Sequence, residues 1–303
     1  MEKFEVIMIG NTAVGKTSML SAMANELDEY NTNVLQLIPT TNEFKIVQKK
    51  WNEMMELVEN QEAFTALETG IEGAAVDFVE HVFDFKVEGK IKATVVFTDT
   101  KGAMTGELDE RLKARVNNAF GVYCVIDASV LMECHASKNN KINCPKFVKK
   151  LLNDVYNDGD GIQPTFVVFV LTKCEKYLAT KKGQQELVAA FHAQYDNIVD
   201  MLKKASVPPN LHVIAIQTMG CVEFFKLDES GLPEFRVIPN QEFKSKDCAY
   251  PLIVLMHNLI DALDAKAGWW QRFKEFVGWE TALREYSSKL DHNIEVPVLY
   301  QKL

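Results

Sequence analysis

Gly10-Asn11-Thr12-Ala13-Val14-Gly15-Lys16-Thr17 matches the pattern G-x-x-x-x-G-K-S/T in full. It stands between an apolar run, Phe4 to Ile9, and a helical pattern, which is the strand-to-helix setting such a loop requires. The two glycines let the backbone wrap an anion, so that its N–H groups and the positive end of the following helix point at phosphate oxygens. Lys16 adds a full positive charge, and the Thr17 hydroxyl suits a magnesium ion. Asn11, Thr12, Ala13, Val14, Gly15, Lys16, Thr17 and Ser18 are therefore the expected phosphate-binding residues, with Lys16 also a catalytic candidate.

Outward from this loop, apolar runs of strand length recur at Phe4–Ile9, Ala93–Phe97, Tyr123–Ile126, Phe166–Leu171 and Val213–Ile216. Between them lie helical periods, such as Leu187, Val188, Phe191, Tyr195, Ile198, Val199 and Leu202. The alternation predicts an α/β fold with a mainly parallel sheet, whose ligands bind outside the carboxyl ends of the strands, and with the Gly10–Thr17 motif it resembles the three-layer sandwich of P-loop proteins.

Additions to a minimal fold are expected at 31–78, at 129–163 and in a hairpin region at 221–250. In the first, Phe44, Val47, Trp51, Met54, Met55 and Val58 predict a helical insertion after the first helix, and Glu80–Val87 alternates like a half-exposed strand. In the second, polar residues 137–143 read as a surface loop before a helical run through Phe147, Leu151, Leu152 and Val155. Val222–Val237, with Glu229-Ser230-Gly231 midway, reads as a hairpin, and Pro251 opens an apolar helix through Leu263. One nucleotide-binding domain is expected over 1–266, with a C-terminal helical extension at 267–303. There Trp269, Phe273, Phe276, Val277 and Trp279 fit core packing better than docking to a partner or a membrane.

The chain has 303 residues and a formal net charge of -9, with no long Lys/Arg run. This argues against nucleic acid as a partner and makes membrane association an unfavoured reading. No signal-peptide layout opens the sequence and no apolar stretch is long enough to span a bilayer, so a cytoplasmic location is expected. Cys124, Cys134, Cys144, Cys174, Cys221 and Cys248 are scattered without zinc or disulfide spacing, and His135 near two of them matches no standard metal site.

Three further elements follow predicted strands. Asp99-Thr100-Lys101-Gly102 is D-x-x-G; Asp99 suits magnesium, through water, and the Gly102 amide suits a γ-phosphate. Thr172-Lys173-Cys174-Glu175 follows the fourth strand, and Gln217-Thr218-Met219-Gly220 the fifth. Here the sequence resembles Ras-like P-loop GTPases, whose N/T-K-x-D element reads guanine. The resemblance implies that the Lys173 stem lies on the base and that the carboxylate, Glu175 in place of Asp, pairs with the ring N1–H and exocyclic amine. It also implies that the loop containing Gln217 and Thr218 backs the base with main-chain N–H groups.

The four elements keep the family's order from Phe4 to Gly220. The long gap between the first two, the hairpin and the Pro251 helix are similar to bacterial GTPase domains of the translation-factor-related class, including double GTPases. This resemblance implies GTP and GDP with Mg2+ as ligands, and a protein effector or activating partner that could be a second GTPase. The family's Gln after D-x-x-G is Ala103 here, which implies slow hydrolysis to GDP and phosphate without a partner, unless Thr12 or Lys101 substitutes. The threonine closing over magnesium is Thr40, Thr41 or Thr69; Thr69 is preferred, as a catalytic and metal-binding candidate. The leading expectation is a regulatory switch whose loops at 62–76 and 99–110 change with the nucleotide. Two alternatives stay open: a nucleotide-dependent assembly module with little catalysis, and a P-loop ATPase or small-molecule kinase.

Overall fold

The computed structural model describes residues 2–11, 13–27, 35–65, 78–87, 89–100, 109–157, 161–229, 231–265 and 301–302. In chain order these form β1 (Glu2–Ile9), α1 (Lys16–Leu27), β2 (Leu35–Pro39), α2 (Thr41–Asn60), β3 (Ala63–Thr65), β4 (Phe78–Val87), β5 (Lys90–Thr100) and α3 (Glu110–Asn117). They continue with β6 (Gly121–Asp127), α4 (Ala128–Glu133), α5 (Ala136–Ile142), α6 (Pro145–Tyr156), β7 (Phe166–Thr172), α7 (Glu175–Leu178) and α8 (Lys181–Lys203). β8 (Asn210–Ala215), β9 (Val222–Leu227), β10 (Pro233–Val237), α9 (Tyr250–Ala265) and β11 (Gln301–Lys302) complete the described elements.

The main sheet has the order β11-β8-β7-β6-β1-β5-β4-β2. β8, β7, β6, β1 and β5 are mutually parallel, while β4, β2 and β11 join antiparallel at the two sides. All seven residues of β6 and of β7 are buried, as unbroken apolar runs in a sheet covered on both faces require. Side chains of β1 divide between two cores: Val6 and Met8 join α1 and α9, and Ile7 and Ile9 join α3, α6 and α8. In α9, Leu252, Leu255 and Leu259 have no exposed surface, worth about 1.5–3 kcal/mol each relative to exposure. The result is a mixed α/β fold with a mostly parallel sheet between helices.

The stretch 41–60 is the helix α2, which buries Val47 and Met54 while Phe44, at the edge of the predicted stripe in the first turn, is 48% exposed. The same region also supplies two strands that local pattern did not indicate. β2 pairs with β4, and β3 leaves the main sheet to join the β9–β10 hairpin in a second, three-stranded sheet ordered β3-β10-β9. Its small core combines Met54, Phe64, Met219, Val222, Phe224 and Phe235.

Residues 137–143 are not a loop. Most of them lie in α5, where buried Asn139 accepts a hydrogen bond from Asn143 Nδ2 at 2.7 Å, a tertiary link that offsets the poor helix propensity of Asn. α6 carries Leu151, Leu152 and Val155 fully buried, so this stretch is core rather than surface elaboration. The region 267–303, apart from Gln301 and Lys302 in β11, lies outside the described residues, as does the aromatic stretch from Trp269 to Trp279.

Candidate functional site

The carboxyl ends of β1, β5, β6, β7 and β8 lie along one edge of the sheet, where their parallel pairing aligns them. After β1 the chain turns through Ala13 (φ 64°) and Gly15 (φ 101°), then enters α1 with Met19 N–H donating to the Gly15 carbonyl at 2.7 Å. A Cβ on Gly10 would stand 2.8 Å from Val14 Cγ2 and 2.9 Å from the Val125 carbonyl oxygen, so only glycine lets the loop lie this close to β6.

Lys16 folds its ammonium into the mouth of this loop, donating to the carbonyls of Gly10 (2.7 Å) and Asn11 (3.0 Å), with Asp99 Oδ1 3.5 Å away. Burial pushes the Lys16 pKa below its ordinary value, and Asp99 opposes the shift. Asp99 is delivered by register: Met8 of β1 stands opposite Asp99 of β5, so the end of β5 lies beside the start of the loop. Thr17 Oγ1 donates to Asp99 Oδ2 at 3.0 Å. Asp99 Oδ1 is buried and accepts no hydrogen bond among the described residues. The Thr17 hydroxyl and the Asp99 carboxylate are two hard oxygen donors side by side, a pair that fits a magnesium ion.

The second half of the site grips the first. Thr172 Oγ1 donates to the Val14 carbonyl at 2.6 Å, and Lys173 Nζ donates to the Ala13 carbonyl at 2.7 Å. Lys173 also pairs with Asp127 Oδ2 at 2.5 Å. Glu175, at the start of α7, turns its Oε1 to the backbone N–H groups of Met219 (3.2 Å) and Gly220 (3.4 Å). Burial raises the Glu175 pKa, against the opposing effect of those amides and Lys173. The carboxylate therefore occupies amides of the same loop that was expected to back a base, a reach that the longer Glu side chain makes possible.

Gly15, Ser18, Thr172, Lys173, Glu175 and Thr218 line a cleft of about 420 Å³, its mouth included, together with Phe64, Met219, Val222 and Phe235. Asn11 reaches outward to the Lys141 carbonyl at 3.0 Å. Gln217 does not line the cleft; its backbone pairs with that of Lys246 in both directions at 2.9 Å. Thr12, Thr69, Lys101, Gly102 and Ala103 lie outside the described residues. Among the described residues there is no group of three or more His, Cys, Asp and Glu side chains placed to hold a metal.

Sequence reading missed Asp127, Phe64, Val222 and Phe235. Asp127 carried a usable signal, since it ends an apolar strand as Asp99 does. The other three carried none, because the β3–β10–β9 sheet that gathers them joins distant segments.

No protein-family model matches the chain, and no curated protein matches it in sequence. Solved structures similar to it include a bacterial selenocysteine-specific elongation factor, EF-Sec, at 13% identity and a TM-score of 0.35, covering 72% of this chain and 26% of that one. Another is the GTPase-like domain of S. cerevisiae Ski7 bound to GTP, at 14% identity and a TM-score of 0.45, covering 85% of this chain and 50% of that one. This chain thus spans half or less of the length of either, and likeness at this distance does not transfer an activity.

Proposed function

We propose that this chain is a P-loop GTPase of the Ras-like, translation-factor-related class, binding GTP and GDP with magnesium and hydrolysing GTP slowly. The observation that carries this reading is that residues of four separate sequence elements come together, three of them lining one cleft and the fourth, through Asp99, contacting the phosphate-type loop beside it. Lys16 and Thr17 reach Asp99, while Thr172 and Lys173 clasp the backbone of the same loop. In this reading Lys16 and the N–H groups of the Gly10–Thr17 loop bind the phosphates, and Thr17 and Asp99 hold the magnesium, which neutralises phosphate charge when bound.

Lys173 and Glu175 face the base. Ala103 offers no side-chain hydrogen bond to orient water, so efficient turnover needs a protein partner, in keeping with a switch that signals to an effector or to a second GTPase. Thr69 and Gly102 are proposed to complete the site around the γ-phosphate. The soluble cytoplasm is the proposed location; among the described residues no helix is long and apolar enough to cross a membrane.

One observation favours a second reading. With Glu175 Oε1 engaged by the Met219 and Gly220 amides, guanine selection requires this carboxylate to exchange partners, and an ATP-using site does not. Equilibrium binding of labelled GTP, GDP and ATP with magnesium, repeated for Lys16→Ala and Glu175→Ala, decides between them. Guanine-only binding lost in both variants supports the GTPase. Equal ATP and GTP binding removes the guanine assignment, and undiminished GTP affinity in both variants removes the site.

A further inference from the structure

The two walls of the cleft differ in chemistry. One is polar and belongs to the main fold: Gly15, Ser18, Thr172, Lys173, Glu175 and Thr218. The other is built largely by the small sheet and presents Phe64, Val222 and Phe235. Phe64 and Phe235 are directly opposed in the β3–β10 register, with ring centroids 6.1 Å apart and planes within 27°. Lys173 Nζ lies over the Phe235 ring, 5.2 Å from its centroid, and Phe64 and Phe235 are each 4% exposed, so a base reaches this wall by displacing the lysine ammonium from the ring.

A cleft with an aromatic wall and a facing rim of hydrogen-bonding groups suits a planar, polar-edged heterocycle. Aromatic faces bind any base by stacking, while edge groups discriminate between bases. Phe224 provides an internal comparison. It belongs to the same small core and stands opposite Phe235 on β9, with centroids 6.5 Å apart, yet it does not line the cleft.

We propose that Phe235, backed by Phe64, is the surface on which the nucleobase of the bound nucleotide stacks, so that the β3–β10–β9 sheet forms the outer wall of the base site. This rests on the nucleotide-binding reading above and adds a division of labour. The aromatic wall supplies affinity for a purine, and the edge facing Glu175 supplies the choice among purines.

The test measures GTP affinity by calorimetry, and inorganic tripolyphosphate affinity by competition against GTP, for the wild-type chain and for Phe235→Leu, Phe64→Leu, Phe235→Trp and Phe224→Leu. Phe235→Leu is expected to weaken GTP about tenfold or more, from the worth of one aromatic–base stack, with tripolyphosphate affinity unchanged. Phe64→Leu weakens GTP less, Phe235→Trp retains it, and Phe224→Leu leaves it at the wild-type value. Wild-type GTP affinity in Phe235→Leu overturns the proposal, as do equal losses in Phe235→Leu and Phe224→Leu or parallel losses of GTP and tripolyphosphate. Failure of the wild-type chain to bind GTP overturns the nucleotide reading and the wall together, whereas GTP binding indifferent to Phe235 overturns the wall alone.

Discussion

Lys173 Nζ and Asp127 Oδ2 lie 2.5 Å apart, and the same ammonium donates to the Ala13 carbonyl, so one lysine ties the end of β6 to the loop between β1 and α1. The pair is set by register, since Asp127 stands beside Thr172 in the β6–β7 pairing. Asp127 also caps α4, accepting from Val130 N–H at 3.1 Å, and its own N–H donates to Asn143 Oδ1 at 2.9 Å.

Asp127→Asn retains an oxygen for the cap but removes the charge. With side-chain exposures of 13% for Lys173 and 2% for Asp127, the pair is mostly dry and its loss costs on the order of 1–3 kcal/mol. Nucleotide affinity should fall about tenfold, and the thermal midpoint should fall as well. Calorimetric titration beside a melting curve checks both, and an unchanged affinity would show that Lys173 is positioned by the Ala13 carbonyl alone.

Thr17 and Asp99 are adjacent through a 3.0 Å hydrogen bond. Thr17→Ala and Asp99→Asn should each weaken GTP binding in the presence of magnesium far more than in the presence of a chelator. Comparing affinities with and without magnesium in each variant tests this; equal losses under both conditions would place these residues outside the ion's reach.

Glu26, near the end of α1, accepts from Cys248 N–H at 3.0 Å, and burial raises its pKa from 4.5 to about 7; Asp247 beside it rises from 3.8 to about 6. A carboxyl whose pKa is raised on folding favours the native state most when protonated. The stability it contributes is present below the ordinary value near 4.5 and is lost as pH rises to about 7. For Glu26 the loss is on the order of 3 kcal/mol. Glu26→Gln keeps the acceptor and removes the titration, so its stability relative to wild type should increase between about pH 5 and pH 8. Denaturant unfolding at several pH values checks this, and a constant difference would refute the assignment.

Tyr123 Oη donates to the Pro251 carbonyl at 2.6 Å, joining β6 to the first turn of α9 across the core. Tyr123→Phe should cost about 1 kcal/mol, since the carbonyl can still serve the helix. The melting temperature should drop by a few degrees while GTP affinity holds. A fall in affinity would instead mean that α9 communicates with the site.

Much of this was legible along the chain. Val167, Val168 and Phe169 in β7, and Ile7 and Met8 in β1, announce strands because both faces of a covered parallel strand must be apolar. Lys16 and Thr17 were legible as candidates because their motif is contiguous in sequence, whereas their meeting with Asp99 depends on the β1–β5 register. Asn139 and its α5 were not, because a polar helix earns its stability from Asn143 and not from its own pattern.

By itself the sequence determined the parallel α/β core, the glycine-bounded turn from Gly10 to Thr17 between strand and helix, and the order of the four elements, all of which follow from local periodicity and contiguous motifs. Only the tertiary structure decided that Asp127 partners Lys173, that Glu175 turns to the Met219 and Gly220 amides, and that Phe64 meets Phe235 at the cleft. Those outcomes depend on strand register and on which distant segments close into one sheet. These are properties of pairing between backbones, and no single stretch of sequence carries them.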